Sequence, residues 1–420
     1  MTGGNEGARV SRLLAKAAAF GLFTGVLTFV AAARLLRRRS SLEAQRPLRL
    51  LITGTFHNRG WLRAHATPIA RADRVESLVV VTDAPLDPLE KTTYVCPPQW
   101  LTRVLTRAPA RLLQVGLTAW RADSEVLVGY HIMPNALICL VVAALLGRRA
   151  VYQMTGGPIQ LAGGGGASEN ALQSRIRGES PLLEKLLVRL VARFDAIVVR
   201  GGAAAAFLAE RGITDTVAII PGGIDLAAFQ PAAGARSYDV VFAGRLVQSK
   251  GCELLQEILI RLAKRRPELR AAVLGEGPMR EAMMAAFGSA GVSHNVEMPG
   301  RRNDVHAFMA QSRVFLLTSP SEGLSIALLE AMCAGAVPVV SDVGELGDVV
   351  RNGETGFLVS SRRPEDYEQR VLEVLNDDVH REALSKRACE VARGHAGLAA
   401  VSRQWDVLLE RLSAPASPQL

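Results

Sequence analysis

Two carboxylates, Glu322 and Glu330, are separated by seven residues in the stretch SPSEGLSIALLEAMCAGAVPVV, Ser319 to Val340, and Gly323, Leu324 and Ser325 follow the first of them. The run from Ile326 to Cys333 is apolar and helix-forming and ends in Ala334-Gly335, a helix stop. Val337 to Val340 reads as a short buried strand. A glycine-containing loop that opens a helix offers unpaired N–H groups and the positive end of the helix dipole to an anion. With a rise of 1.5 Å per residue, Glu330 falls about 12 Å beyond Glu322. Two carboxylates that cleave one glycosidic bond stand about 5 to 9.5 Å apart, so this pair is spaced for something else. The spacing suits an elongated ligand, with a sugar at one end, a diphosphate over the helix start and a ribose further in.

Cations stand ahead of this stretch. VVFAGRLVQSKG, Val240 to Gly251, reads as a strand (Asp239–Ala243) followed by a loop that carries Arg245 and Lys250 into a helix. A guanidinium that binds bidentately and an ammonium that acts as a point charge fit a departing diphosphate. RAAVLGEGP, Arg270 to Pro278, is a strand with a glycine loop at Gly275 and Gly277, without a complete G-x-G-x-x-G. VEMPGRRNDVHAFMAQSRVFLLTS, Val296 to Ser319, reads as strand, loop, helix and strand, with Gly300 and Arg301 in the loop.

These motifs resemble, in order, those of retaining glycosyltransferases of the GT-B fold, family 4 type. This is the E-x7-E family that includes sucrose synthases and many bacterial lipid-linked sugar transferases. The resemblance runs from about Val240 to Val359 and more loosely over the rest. It implies an α/β fold with two facing Rossmann-like domains, a cleft between them and a nucleotide-sugar in the cleft. Arg245 and Lys250 match the family's arginine and lysine that meet the diphosphate. The resemblance gives Glu322 and the residues Gly323, Leu324 and Ser325 to the donor sugar and phosphates, and Glu330 to the ribose. Gly275 falls in the nucleotide-side turn, and Gly300 and Arg301 fall where the base is held. The usual proline near Leu346-Gly347 is missing.

The elements that position such a site alternate strand and helix. LRLLIT (Leu48–Thr53) and SLVVVT (Ser77–Thr82) are strands, and the loop TGTFHNRGW between them contains Gly60. Family members place a glycine pair here for the donor phosphate, so Gly60 fills that role only loosely. SEVLVGY, Ser124 to Tyr130, is a strand that ends at His131. Ligands of open α/β sheets gather at the carboxyl ends of strands, which puts His131 at a cleft edge; in the family a histidine here lies beside the donor sugar. A helix is expected over Pro134–Leu146, apolar all round and too short to span a bilayer. LAGGGGASEN, Leu161 to Asn170, reads as a lid or acceptor-side loop. Pro181–Phe194 is an amphipathic helix, and the last helix, Ala399–Leu412 with Trp405, is expected from the family to cross back onto the first domain. The boundaries drawn are 1–46 for a membrane anchor with a basic flank, 47–229 for the acceptor-side domain and 230–237 for the linker. The donor domain is 238–395, and 396–420 holds the returning helix and tail.

Charge sharpens the picture. The chain of 420 residues has a net charge of +9, and residues 1–49 hold nine Lys and Arg against Glu6 and Glu43. With the charge in one terminal segment, nucleic acid is not a partner. Ala17–Ala33 is an apolar or small stretch that leads straight into RLLRRR, Arg34 to Arg39. A secretory signal carries its charge on the other side, whereas this flank keeps the rest of the chain in the cytoplasm beside anionic lipid. A single span and a helix in the interface both remain open. The five cysteines are scattered, with no C-x-x-C pair, which points to neither a disulfide framework nor a zinc site.

The expected function is transfer of a hexose from a nucleotide diphosphate to a lipid-linked or glycan acceptor at the membrane, with retention. His131, Glu322, Arg245 and Lys250 are the catalytic set; no cofactor is expected, and no D-x-D-like metal site stands near the motif. The alternatives are a nucleotide-sugar epimerase of similar architecture, which needs no anchor, and a catalytically silent scaffold of a polysaccharide assembly complex, which has no need of Arg245, Lys250, Glu322 and Glu330 all together.

Overall fold

Parallel strands covered on both faces are built from unbroken apolar runs, and the chain contains two sets of them. The computed structural model describes residues 3–36, 42, 46–56, 59–84, 88–165 and 178–414. It divides into two compact units, Met1–Ile220 with Ser402–Leu420, and Pro221–Val401.

The first unit begins with helix α1 (Gly3–Leu36), then β1 (Leu48–Thr53), α2 (Arg59–Arg71), β2 (Val75–Val81), β3 (Thr92–Val95), α3 (Gln99–Leu105) and α4 (Arg107–Arg121). It continues with β4 (Val126–Tyr130), α5 (Leu137–Leu146), β5 (Arg149–Met154), α6 (Pro181–Val191), β6 (Ala196–Val199), α7 (Gly202–Ala209) and β7 (Val217–Ile219). The strands form one parallel sheet in the order β3-β2-β1-β4-β5-β6-β7. Every residue of β4 and β6 is buried.

The second unit contains β8 (Tyr238–Ala243), α8 (Cys252–Arg265), β9 (Ala271–Leu274), α9 (Arg280–Ser289), β10 (Val296–Gly300), α10 (Val305–Ala310) and β11 (Ser312–Leu317). α11 (Ile326–Cys333), β12 (Val337–Ser341), β13 (Phe357–Val359), α12 (Pro364–Asn376) and α13 (Asp378–Ala396) come next, and α14 (Leu398–Ser413) closes the described chain. The order is β10-β9-β8-β11-β12-β13, again all parallel. It is the Rossmann order of two half-sheets wound outward from the first strand.

Three local features differ from the sequence expectation. The division falls after Ile220 instead of in 230–237. Residues 221–229 go with the second unit because Ile224 is buried in its core, donates to the Ala396 carbonyl at 2.7 Å and accepts from the Leu398 N–H at 3.2 Å. The helix expected from Pro134 starts at Leu137, behind an irregular turn over Ile132–Ala136. The start of the glycine run is a fastened turn: Gly163 N–H donates to Glu184 Oε2 at 2.7 Å and the Gly163 carbonyl accepts from Ser180 N–H at 2.8 Å. Residues 166–170 of that expected lid lie outside the described residues, as do 37–41 of the basic flank.

Helix α1 packs along α5 and α6. Its inward stripe is Ala19, Phe23 and Val30, all buried, with Val26, Leu27 and Ala33 partly buried beside them. That helical spacing explains why α5 is apolar all round: α1 covers the side that the sheet does not. Lys16 Nζ donates to the Glu179 carbonyl at 3.1 Å, and Arg34 Nη2 donates to the Arg193 carbonyl at 2.6 Å, so both ends of the apolar stretch are tied down. The outward side stays apolar, with Leu13, Leu14, Phe20, Leu22 and Phe29 exposed. Leu13–Leu36 is long and apolar enough to cross a membrane. In the closing helix, Trp405 is buried and Asp406 Oδ1 accepts from Arg74 N–H at 2.8 Å within the first unit.

Candidate active site

In the second unit the strand order reverses between β8 and β11, and crevices at such a switch point, outside the carboxyl ends of the strands, are where α/β sheets bind ligands. The loop after β8 carries Arg245 and Lys250, and the loop after β11 carries Glu322. Lys250 Nζ donates to Glu322 Oε1 at 2.6 Å, with the two side chains 22% and 9% exposed. The ion pair therefore bridges the switch point. Thr318 Oγ1 fastens the same two loops by donating to the carbonyls of Lys250 at 3.2 Å and Gly251 at 3.0 Å. Gly251 sits at φ +67°, and a Cβ there would lie 2.1 Å from the Thr318 carbonyl oxygen, so only glycine lets the loops approach this closely.

Ser325 is the N-cap of α11, its Oγ accepting from Leu328 N–H at 3.4 Å. The first-turn amides before Leu328 have no partner within the helix, and they open at the same sheet edge as Lys250. Leu324 is buried in the core and sets the height of the loop, while Gly323 is half-buried. Glu330 lies one turn into α11, and among the described residues its carboxylate has no hydrogen-bond or ion-pair partner. The residue is half-buried by surface, yet enough protein surrounds the carboxyl that desolvation pushes it up to about 8.

Arg245 is exposed. Its loop is laced to the next two strands: Gly244 N–H donates to the Leu274 carbonyl at 2.9 Å, Leu246 N–H to Glu276 at 2.9 Å, and Gly275 N–H to Gly300 at 3.0 Å. Gly275 and Gly300 thus stand at the same carboxyl edge as Arg245, and Arg301 comes next as an exposed side chain. An open cavity of about 650 Å³ borders these loops between Gln248, Glu253, Pro320 and Arg362; neither Lys250 nor Glu322 lines it. Among the described residues no cluster of three or more His, Cys, Asp or Glu side chains is placed to hold a metal ion.

The first unit repeats the placement. Its order reverses between β1 and β4, and His131 comes directly after β4 at φ +60°, a conformation that costs a non-glycine residue about 1–3 kcal/mol unless its surroundings hold it. Gln160 Nε2 lies 2.9 Å from His131 Nδ1 and Thr155 Oγ1 lies 3.3 Å from it. Tyr152 donates its hydroxyl to Gln160 Oε1 at 2.5 Å, which turns the amide nitrogen of Gln160 toward the histidine. That nitrogen only donates, so Nδ1 accepts, and neutral His131 keeps its proton on Nε2. Trp61 stacks on the His131 ring at 6.0 Å and an interplanar angle of 12°. Phe56, Tyr130 and His65 extend this cluster. Buried against the Arg200 guanidinium, whose Nη1 is 2.6 Å from its Nε2, His65 is held well below the ordinary imidazole range, chiefly by desolvation.

Gly60 stands exposed in the first turn of α2, after β1, and residues 57–58 of its loop lie outside the described residues. Sequence reasoning missed Tyr152, Thr155, Gln160 and Trp61. None of the four has a chemical spacing to His131, and only their meeting at one sheet edge reveals them.

Residues 225–391 match the family model described as glycosyl transferases group 1. Over 154 residues the chain is 30% identical to a sulfoquinovosyl transferase of Arabidopsis thaliana, a match that covers 36% of this chain and 29% of that one. It is 26% identical over 271 residues to a D-inositol 3-phosphate glycosyltransferase of Nocardiopsis dassonvillei, covering 59% of this chain and 60% of that one. The chain thus spans less than two thirds of the length of these relatives. Among solved structures it resembles Anabaena HepE in complex with UDP and glucose, with a TM-score of 0.67 and 17% identity over 86% of this chain and 99% of that one. It resembles the sucrose-phosphate synthase of Thermosynechococcus elongatus with a TM-score of 0.68 and 16% identity over 88% and 99%.

The chain has the GT-B glycosyltransferase fold. Its second unit contains a domain of the glycosyl transferases group 1 family, with which the family 4 resemblance is consistent.

Proposed function

We propose that this protein is a retaining, metal-independent hexosyltransferase that moves a sugar from a nucleotide diphosphate to a membrane-borne acceptor in glycolipid or surface-polysaccharide synthesis. The observation that carries this reading is the Lys250–Glu322 ion pair across the switch point of a group 1 domain. A lysine ammonium has three donors, so Lys250 can keep Glu322 in place and still offer an N–H to a phosphate. Arg245, Lys250 and the amides opening α11 would neutralise the charge that builds on the leaving diphosphate. Preorganised donors of this kind are usually the largest single catalytic contribution. Glu322 would hold donor-sugar hydroxyls and Glu330 the ribose, while His131 would donate from Nε2 to a sugar oxygen.

The UDP and glucose held by HepE support a nucleoside diphosphate donor. The apolar outer side of α1 supports attachment to a membrane, and the acidic Glu6 and Glu43 do little against the cations around it. The test is transfer itself. Radiolabelled UDP-, GDP- and ADP-sugars are incubated with the full-length chain and a polar-lipid extract, and the lipid phase is counted. Label that enters lipid with wild type and not with Lys250→Ala supports the reading. Label in a water-soluble glycan alone would remove the lipid acceptor, and epimerised donor without transfer would replace the activity.

A further inference from the structure

We propose that α3 and α4 form a second lipid-docking face of the first unit, one that lays this unit on an anionic bilayer surface beside α1. An amphipathic surface helix normally points its polar side outward and its apolar side inward; α4 points an apolar stripe outward as well. Leu113, Leu117 and Trp120, at helical spacing, are 54%, 41% and 68% exposed, while Arg111 and Thr118 are buried with Ala110, Val115 and Ala119. Helix α3, packed against α4, buries no residue at all and exposes Trp100 (65%) and Val104 (73%). Among the described residues of the first unit, nothing covers these side chains.

Charge selects the occupant. From Gln99 to Ala122 there are four arginines and no acidic residue. Arg103, Arg107 and Arg121 are exposed among the apolar side chains, and among the described residues none of the three has an ion-pair partner. Tryptophan and arginine around an apolar stripe, with carboxylates absent, is the composition of helices that lie in the headgroup region of an anionic leaflet. A second copy of this chain fits poorly, because an isologous contact would set arginines against arginines with no carboxylate between them. Helices α1 and α4 both pack against α5, whose Leu145 is 45% exposed. The inference concerns the surface alone and stands whichever donor the site binds.

Tryptophan emission tests it on the full-length chain with vesicles of phosphatidylcholine, with or without phosphatidylglycerol, whose acyl chains are brominated. Trp405 is buried and Trp61 sits in the aromatic cluster, so lipid quenching reports Trp100 and Trp120. The expected result is quenched emission in wild type and little quenching in Trp100→Phe/Trp120→Phe, which keeps the face apolar and the protein bound. Arg103→Gln, Arg107→Gln and Arg121→Gln should each lower partition onto the phosphatidylglycerol vesicles roughly fivefold, the equivalent of about 1 kcal/mol per basic residue, and leave neutral vesicles unaffected. Equal quenching in wild type and the double tryptophan variant would overturn the proposal. Vesicle binding without any quenching would do the same, assigning attachment to α1 alone. A doubled mass with unquenched emission would also overturn it, in favour of a second copy.

Discussion

Lys250 Nζ and Glu322 Oε1 stand 2.6 Å apart, although they lie 72 positions apart in the chain. The two loops that hold them leave neighbouring strands on either side of a switch point, so the pair is both a local electrostatic unit and the fastening of the site. Removing the cation leaves Glu322, 9% exposed, uncompensated, and on the proposed reading it also takes a point charge from the diphosphate.

Lys250→Ala should therefore lower turnover by about 10²- to 10³-fold, the range for one lost preorganised donor, with circular dichroism and Tm still those of a folded protein. Steady-state kinetics with the donor found for wild type checks this; near-normal turnover would remove the diphosphate role.

Glu330 ties pH to stability and to binding. Its carboxyl is raised in the fold from the ordinary 4.5 to about 8, so its contribution to stability is fully present below about 4.5 and is lost as pH rises through about 8. The melting temperature of wild type should fall across that window relative to Glu330→Gln. Ribose hydroxyls favour the ionised form, so nucleotide binding near neutrality should release a proton, seen as buffer-dependent heat in calorimetry. Buffer-independent heat in wild type would contradict the ribose contact.

His131 should show one neutral tautomer, with the proton on Nε2, because Gln160 and Thr155 face Nδ1. Carbon and nitrogen shifts of labelled histidine read this directly. Gln160→Ala should release a mixture of tautomers and lower turnover, leaving nucleoside-diphosphate affinity intact. A wild-type spectrum with the proton on Nδ1 would reverse the assigned orientation of the Gln160 amide.

Phe23 tests whether α1 belongs to the first unit. Buried to 0% exposure in its core, Phe23→Ala should cost about 3–5 kcal/mol in urea unfolding of the detergent-solubilised chain. A loss below about 1 kcal/mol would mean that α1 leaves the unit without consequence. The same packing predicts that deleting residues 1–46 exposes α5 and yields aggregates instead of a clean soluble domain.

Much of the second unit is legible in the sequence. Helix α11 is found over Ile326–Cys333 as expected, because a capping serine and an Ala-Gly stop bracket its apolar run. The alternation of buried strands with helices carries the α/β class for the same reason. The surroundings of His131 are not legible: its positive φ and its hold by Gln160 arise from where β4 and β5 end side by side, which no local pattern encodes. The unit boundary is displaced because Pro and Gly composition marks flexible chain, whereas Ile224 joins a core by a single bridge to Gly397. Helices α3 and α4 escape notice because an outward apolar stripe looks in sequence like an inward one.

Donor binding at the second unit is tested most directly by a thermal-shift panel on the full-length chain with UDP, GDP, ADP and their common sugars. One nucleotide should stabilise wild type selectively, by about 2.7 kcal/mol at a hundred times its Kd. The effect should be lost in Glu330→Gln and diminished in Lys250→Ala. A wild-type protein that none of these ligands stabilises, in detergent and in lipid alike, would contradict a donor site and favour a scaffold.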